Sequence, residues 1–259
     1  MTINSRRMRV NDVELNVVVQ GEGPDVLLVH GFPDDHTVWR NQIPALVDAG
    51  YRVIALDTRG CGESEIKPCE GDYAIDELVA DLVALLDTLG IAKVRLVGHD
   101  FGALQAWYFA MEHPERVDRY IAMSVGHPAA YASGGVAQKL KAYYVFCIQL
   151  RGLIEFLVRR FDWWLFGVVL HYPAEFRHIR ARLSRSGRLT AGFNYYRANL
   201  HLMLSKAFPR VKVPVVGILE RRRCLPHRGS DARFGALLRR RFPLRPDRRR
   251  QSLAAVDGP

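Results

Sequence analysis

Short, almost entirely apolar runs alternate with a helical pattern along the first half of this chain, and this alternation restricts the possible folds more than any other feature. The runs lie at 26–29, 53–56, 94–97 and 120–123. Such runs are typical of parallel strands that are covered by helices on both sides. Between them, the apolar residues of 75–89 recur at helical spacing. We therefore predict an α/β fold with a doubly wound, mostly parallel sheet.

The alternation stops near Gly126. Residues 128–208 are helical in pattern and rich in aromatic side chains, and an apolar run at 211–219 predicts one more buried strand. A helical insertion between two strands of an open α/β sheet lies over the carboxyl edge of the sheet, where such folds bind ligands. We therefore expect four parts: the N-terminal part of the core at 1–127, a helical lid at 128–208, a core strand at 209–219, and an Arg-rich tail at 220–259.

The positive charge of the chain is concentrated in that tail. The 259 residues carry a formal net charge of +10, but residues 220–259 hold twelve arginines and four acids, which leaves +2 for the rest. A nearly neutral body gives no basis for a nucleic-acid partner. Four scattered cysteines fit neither a metal site nor a disulfide framework, and no uncharged apolar run reaches the roughly 18 residues of a membrane span. We expect a soluble, cytoplasmic protein with no membrane span, no bound metal and no specific nucleic-acid partner.

The sharpest local signal is the stretch Val97-Gly-His-Asp-Phe-Gly102, directly after a predicted strand and before a predicted helix. Its glycines permit a tight turn that lifts the side chain of Asp100 out of the sheet. Such turns carry the nucleophile of many enzymes, although Asp and Gly are also common in ordinary turns. If Asp100 is a nucleophile, the backbone N–H groups of Phe101 and of Phe32 can form an oxyanion hole beside it. The histidines that flank these turns are interpreted as orienting or core residues.

The chain resembles the α/β-hydrolase superfamily, and in particular its epoxide hydrolases, in three motifs that occur in the family's order. They are His30-Gly-Phe-Pro-Asp34, Asp57-Thr-Arg-Gly-Cys-Gly-Glu-Ser64 and the Asp100 stretch. The resemblance covers residues 8–219. It implies an α/β-hydrolase fold, Asp100 as the nucleophile, and a reaction without a cofactor.

The resemblance extends to two segments of the predicted lid that carry paired tyrosines. By position, Tyr144 and Tyr196 match the two acids that hold and protonate the epoxide oxygen in that family. We expect Tyr143 and Tyr195, the neighbouring aromatic residues, to line the substrate pocket together with Trp39.

An aspartate nucleophile suits attack on a saturated carbon. A carboxylate leaves an ester that water can open, whereas a serine would leave a stable ether. Two reactions fit, epoxide opening and carbon–halogen displacement. An epoxide oxygen needs a proton, which phenols supply, whereas a halide needs N–H donors, and the ring of Phe101 has none where haloalkane dehalogenases of this fold usually carry Trp. The sequence favours hydrolysis of a small, apolar epoxide to a vicinal diol. The alternatives are another α/β hydrolase, such as a haloalkane dehalogenase, or a non-catalytic, degenerate hydrolase fold.

The second half of the family's reaction requires a histidine, held by an acid, that activates water. The resemblance places that acid after the strand at 211–219 and the histidine after one further strand. Neither pattern is recognisable in 220–259, and His227 lies too close to the strand end to follow another strand–helix unit. We therefore expect the C-terminal strand and helix of the core to be missing or replaced, and turnover to be impaired. We expect the tail to be disordered or to result from a shifted reading frame.

Overall fold

A computed structural model describes residues 4–128, 143–164, 166, 176–203 and 208–218 of the chain. The strands are β1 (Ser5–Val10), β2 (Val13–Gln20), β3 (Asp25–Val29), β4 (Arg52–Leu56), β5 (Val94–His99), β6 (Val117–Met123) and β7 (Val215–Ile218). The α-helices are α1 (Gln42–Asp48), α2 (Ile75–Thr88), α3 (Phe101–Glu112), α4 (Tyr143–Ile148), α5 (Leu153–Arg160), α6 (Phe176–Leu183) and α7 (Arg188–Ala198). Short 3₁₀ turns lie at His36–Trp39, Glu70–Tyr73, Pro114–Arg116 and Leu200–Met203.

The strands form one sheet, which confirms the predicted doubly wound, mostly parallel topology. Their order is β1-β2-β4-β3-β5-β6-β7. The strands β1 and β2 form an antiparallel hairpin, β2 is antiparallel to β4, and the other neighbours are parallel. The chain runs from β3 outward to β4 and then returns past β3 to form β5 on its other side. The strand order therefore reverses between β3 and β5, and the loops after these two strands leave a crevice at the carboxyl edge of the sheet.

Alternate residues of the central strands pack into two different cores. Leu27 and Ile54 face a layer that contains α2 and α3, whereas Leu28 and Ala55 face a layer that contains α1 and Trp39. Because helices cover both faces, β3 and β4 are buried on both sides. This two-sided burial is the physical reason why the apolar runs of the sequence show no period-two alternation.

A buried ion pair fixes the turn after β4 against α2. The guanidinium of Arg59 is fully buried and donates to the Asp81 carboxylate through Nε at 2.7 Å and through Nη2 at 2.6 Å. Asp81 is also buried, so the two charges compensate each other, and loss of one partner of such a pair costs about 3–5 kcal/mol. The backbone around Arg59 is therefore a rigid support for side chains that hydrogen-bond to its carbonyl groups.

In the described part of the segment predicted as a lid, four helices, α4 to α7, lie between β6 and β7. The predicted boundaries of the four parts of the chain stay predictions. None of the described helices has the length and apolar character needed to cross a bilayer. Apolar side chains of these helices, together with Trp163 and Phe166 from the chain between α5 and α6, form a third core, whose buried members are Ile148, Ile154, Val158, Trp163, Phe166, Ile179, Leu183, Leu189 and Phe193.

The last described strand is shorter and less buried than predicted. The sequence pattern predicted a buried strand over 211–219, whereas β7 spans Val215–Ile218 and is only partly buried. Pro214 has no N–H to donate, so only its carbonyl pairs with β6, by accepting from Tyr120 N–H at 2.9 Å. Residues 219–259, which include the predicted tail and His227, lie outside the described residues.

Candidate active site

Asp100 lies at the turn between β5 and α3, beside the crevice where the strand order reverses. Its backbone has φ 52° and ψ −125°, a conformation that costs a non-glycine residue on the order of 1–3 kcal/mol. Strain at the end of a strand is typical of a side chain that is held out of the sheet toward a ligand. A Cβ at Gly102 would lie 2.2 Å from the carbonyl oxygen of His30, so only glycine lets α3 begin this close to the loop after β3.

The loop after β3 donates a hydrogen bond to the Asp100 carboxylate. The N–H of Phe32 donates to Oδ1 of Asp100 at 3.2 Å. The loop is so close that a Cβ at Gly31 would lie 2.6 Å from the same oxygen. Phe101 is the first residue of α3, so its N–H has no acceptor within the helix. The N–H groups of Phe32 and Phe101 thus lie next to Asp100, and their role as an oxyanion hole stays a prediction.

His30 is buried behind this loop in a defined tautomer. Its Nε2 accepts a hydrogen bond from Thr58 N–H at 3.0 Å, and its Nδ1 lies 2.8 Å from the carbonyl of Gly31. Because a backbone N–H only donates and a carbonyl only accepts, this arrangement places a proton on Nδ1. Both nitrogens are therefore occupied, and His30 orients the loop instead of acting as a base.

Asp100 lines a cavity of about 140 Å³ together with two tyrosines from different helices, Tyr144 of α4 and Tyr196 of α7. The two phenol rings lie edge to face, with centroids 5.9 Å apart. Tyr196 also packs edge-on against the rings of Phe101 and Phe32, at 5.5 and 5.9 Å. The fold therefore brings one carboxylate and two phenols to a single cavity from three separate segments. The other residues that line it are Phe101, Leu104, Val125, Pro128, Val145, Asn199 and Leu202.

The neighbouring tyrosines, which were predicted to line the pocket, do not line this cavity. Tyr143 is 55% exposed, and Tyr195 is buried and donates its hydroxyl to the carbonyl of Arg59 at 2.6 Å. The reason is helical geometry, since successive residues on a helix point about 100° apart. When Tyr144 and Tyr196 face the cavity, the residues before them must point elsewhere.

Trp39 also lies away from the cavity, contrary to the prediction. Its side chain is 2% exposed and packs in the core between the sheet and α1, with its ring centroid 6.4 Å from that of His99. Trp39 is therefore a core residue in this structure.

Asn199 is a cavity residue that the sequence did not reveal. Its Oδ1 accepts from the N–H of Ile75 at 2.8 Å, and its Nδ2 donates to the carbonyls of Tyr73 and Tyr195, each at 2.8 Å. The amide thus joins the end of α7 to the start of α2. Two of these partners are distant in the chain, so no local pattern could have identified this role.

Asp34 is a second polar residue near Asp100 for which the sequence predicted no role. Burial raises the pKa of its carboxyl, and the charge of Asp100 adds to this rise, while His30, His99 and Arg182 oppose it. The only signal in the sequence was its place at the end of the His30-Gly-Phe-Pro-Asp34 motif.

Asp57, in the turn after β4, is fully buried and accepts hydrogen bonds from two parts of His36. Its Oδ1 accepts from the backbone N–H and from Nδ1 of His36, both at 2.7 Å. Burial alone would raise the pKa of Asp57, but the hydrogen bond and charge of His36 outweigh it and lower the pKa to about 2. The same contact raises the pKa of His36 although burial opposes the rise. Asp57 and His36 therefore form a buried pair that holds the turn.

The ligand atoms of Asp35, His36 and Asp57 lie within 4.8 Å of one another, a spacing that a metal ion could bridge. Their chemistry does not fit a cation. Asp35 pairs with the guanidinium of Arg182 and accepts from the N–H of Thr37, and the Asp57 oxygens are occupied by donors. A cluster that already binds an arginine is an ion-pair network, and we assign it a structural role.

The Asp57–His36 pair predicts a stability maximum in mildly acidic solution. The pKa of Asp57 in the folded chain lies below its ordinary value of 3.8, so its contribution is present above pH 3.8 and is lost as the pH falls toward about 2. The pKa of His36 is raised above 6.5, so its contribution is present below pH 6.5 and is lost as the pH rises through the folded pKa. We expect the free energy of unfolding, measured by urea titration, to be highest between these limits, with Asp57 contributing about 2 kcal/mol.

His36→Gln is the control for this pH dependence. It removes the titrating imidazole, so it should flatten the decline of stability above pH 6.5. An alkaline decline that is equal in His36→Gln and in the unaltered chain would contradict the assignment.

Comparisons with known proteins connect this geometry to a family. The model of the alpha/beta hydrolase fold family matches residues 24–144. An AB hydrolase superfamily protein of Bacillus subtilis is 34% identical over 204 residues, which make up 74% of this chain and 71% of that protein. An epoxide hydrolase of Siraitia grosvenorii is 40% identical over 149 residues, which make up 56% of this chain and 47% of that protein. The chain thus spans about half the length of this epoxide hydrolase.

The solved structures agree with the sequence comparisons. The crystal structure of an epoxide hydrolase from Vigna radiata superposes on this chain with a TM-score of 0.72 and 34% sequence identity. The superposition covers 84% of this chain and 79% of the other. The likeness therefore extends well beyond the segment that the family model matches.

Proposed function

The chain belongs to the α/β-hydrolase superfamily, and we propose that it opens small, apolar epoxides with Asp100 as the nucleophile. Within the superfamily it is similar to epoxide hydrolases in both sequence and structure. The observation that carries the proposal is that Asp100, Tyr144 and Tyr196 line one cavity. A carboxylate that attacks carbon and phenols that protonate oxygen are the groups that epoxide opening requires.

In the first step, a carboxylate oxygen of Asp100 attacks one carbon of the epoxide. The bond between that carbon and the epoxide oxygen breaks, and the oxygen takes a proton from the hydroxyl of Tyr144 or Tyr196. The product is an ester on Asp100 with a hydroxyl on the adjacent carbon, and the phenolate regains its proton from solvent. The lining is mostly apolar, which lowers the local polarity and so strengthens the hydrogen bonds to the reacting oxygen.

The second step is hydrolysis of this ester by attack of water on the carbonyl carbon. The N–H groups of Phe32 and Phe101 would stabilise the negative charge that develops on the carbonyl oxygen. The water must lose a proton to a base, but none of the ten residues that line the described cavity is a histidine. The family's acid and histidine are also not recognisable in the sequence after residue 219. We therefore expect this chain to form the ester faster than it hydrolyses it.

Mixing the chain with styrene oxide is expected to produce one stable adduct per molecule. Peptide mass spectrometry should place the adduct on Asp100, because its carboxylate is the nucleophile. Continuous formation of diol would contradict the stalled second step. It would not contradict the role of Asp100 as the nucleophile. A chain that melts cooperatively, yet forms neither adduct nor diol, would contradict the proposed function and favour a non-catalytic binder of apolar ligands.

The same assay with a 1-bromoalkane tests the dehalogenase alternative. A departing bromide needs N–H donors in the cavity, and the rings of Phe101, Tyr144 and Tyr196 offer none. The indole of Trp39 lies in the core on the α1 side of the sheet. We therefore expect bromide release no faster than the spontaneous reaction, and rapid release would favour the alternative.

A further inference from the structure

The helix that carries Tyr196 is tied to the core of the molecule. At its start, Arg188 donates to the carbonyls of Cys61 and Ser64 at 3.2 and 2.6 Å. Near its end, the hydroxyl of Tyr195 donates to the carbonyl of Arg59 at 2.6 Å. The position of Tyr196 is therefore set by the turn that follows β4, which the buried Arg59 ion pair makes rigid.

The helix that carries Tyr144 is joined to α7 through Arg197. The Nε of Arg197 donates to the carbonyl of Ile148, the last residue of α4, at 2.9 Å. Carbonyls in the last turn of a helix have no partner within the helix, so this bond satisfies an otherwise unpaired group. The side chain of Ile148 packs in the third core and holds α4 against its neighbours, but apolar packing is non-directional. Among the contacts described for α4, the bond from Arg197 is a directional one, and it can fix where α4 stands along α7.

A buried ion pair holds the guanidinium of Arg197 in place. Its Nη1 lies 2.8 Å from Oε1 of Glu155, and the two residues are 6% and 9% exposed. Burial alone would raise the pKa of Glu155, but the hydrogen bond from Arg197 outweighs it and lowers the pKa. The guanidinium also lies 5.7 Å from the ring centroid of Phe193. The ion pair with Glu155 and the contact with the Phe193 ring therefore hold the guanidinium beside the end of α4.

We propose that Arg197 is the positioning residue that holds Tyr144 opposite Tyr196 across the cavity. Arg197 follows Tyr196 directly in the chain and bonds to the end of the helix that carries Tyr144. The 5.9 Å separation of the two rings therefore depends on the contact between Arg197 and Ile148. The inference rests on the proposed function, because the spacing matters for catalysis only if both phenols act on one oxygen.

The test is a double-mutant cycle on the rate at which styrene oxide alkylates Asp100. We expect Arg197→Met to slow alkylation at least about tenfold, because small displacements of a catalytic group have large effects on rate. If Arg197 acts through Tyr144, Arg197→Met in a Tyr144→Phe background causes no further loss. Arg197→Lys keeps the charge beside Glu155 and should restore part of the rate. An equal loss in both backgrounds would indicate a general structural role and overturn the inference.

A second measurement does not depend on the reaction. The protein is labelled with 3-fluorotyrosine, and the fluorine resonance of Tyr144 is identified by its absence in Tyr144→Phe. We expect this resonance to shift or broaden in Arg197→Met. The resonance of Tyr120, in the core of the sheet, should not change. An unchanged Tyr144 resonance overturns the inference, whether or not the chain alkylates. A shifted resonance in a chain that never forms the adduct overturns the proposed function and leaves the positional role in place.

The matched control is Arg180→Met. Arg180 is also an arginine of the helical segment, but it pairs with Asp162 at the surface. We expect unchanged alkylation and an unchanged Tyr144 resonance. If Arg197→Met does not fold, Arg197→Lys is taken through the same two measurements, and a wild-type rate together with a wild-type resonance then overturns the inference.

Discussion

Asp100→Asn is expected to abolish the adduct with styrene oxide, a loss of at least about 10⁴-fold in the alkylation rate. The amide has no negative charge and is a poor nucleophile, while its oxygen can still accept the hydrogen bond that Phe32 N–H donates to Oδ1. Asn also tolerates positive φ better than most residues, so the turn at φ 52° should persist. Rapid-quench mass spectrometry of the intact chain measures the adduct, and thermal melting measures the fold.

Asp100→Gly is the companion variant for this prediction. Glycine adopts the backbone conformation of residue 100 without strain, so Asp100→Gly should match or exceed the unaltered chain in stability while forming no adduct. The pair of results would show that the strained turn serves the reaction and not the fold. If Asp100→Asn is alkylated at more than a hundredth of the original rate, Asp100 is not the nucleophile.

The double substitution Tyr144→Phe and Tyr196→Phe is expected to slow alkylation by about 10²–10⁴-fold, with each single change causing a smaller loss. Phenylalanine keeps the edge-to-face packing of the two rings but removes both hydroxyl groups that can protonate the epoxide oxygen. Without a proton, that oxygen must leave as an alkoxide. Single-turnover kinetics with styrene oxide measures the effect.

The dependence of the alkylation rate on styrene oxide concentration separates loss of the proton donor from loss of shape. If the tyrosines supply the proton, the maximal rate should fall in the double variant while the half-saturating concentration stays unchanged. If the half-saturating concentration rises by as much as the rate falls, the tyrosines act through the shape of the cavity. If the rate does not fall, the proposed role of Tyr144 and Tyr196 is wrong.

Most of the sheet could be predicted from the sequence, because each central strand is a short apolar run. The runs at 26–29, 53–56 and 94–97 lie within β3, β4 and β5. The end of the sheet was predicted less well, because the run at 211–219 was interpreted as one strand although it contains Pro214, whose missing N–H shortens the pairing of β7 with β6.

The site could be predicted where one motif both shapes the backbone and carries the chemistry. The glycines around Asp100 predict the turn, and the structure shows the strained backbone and the close approach of the loop after β3. The aromatic lining was predicted in part. The resemblance singled out Tyr144 and Tyr196, and both line the cavity, whereas the adjacent Tyr143 and Tyr195, which we also expected there, do not.

The sequence by itself determined the doubly wound sheet and the place of Asp100 at a strained strand–helix turn, because periodicity and glycine placement are local properties of the chain. Only the tertiary structure decided that Tyr144 and Tyr196 share a cavity with that carboxylate, that Trp39 is a core residue, and that Arg197 joins two helices. These outcomes depend on contacts between residues that are distant in the chain. Such contacts depend on how whole helices pack on the sheet, so they cannot be predicted from any short stretch of sequence.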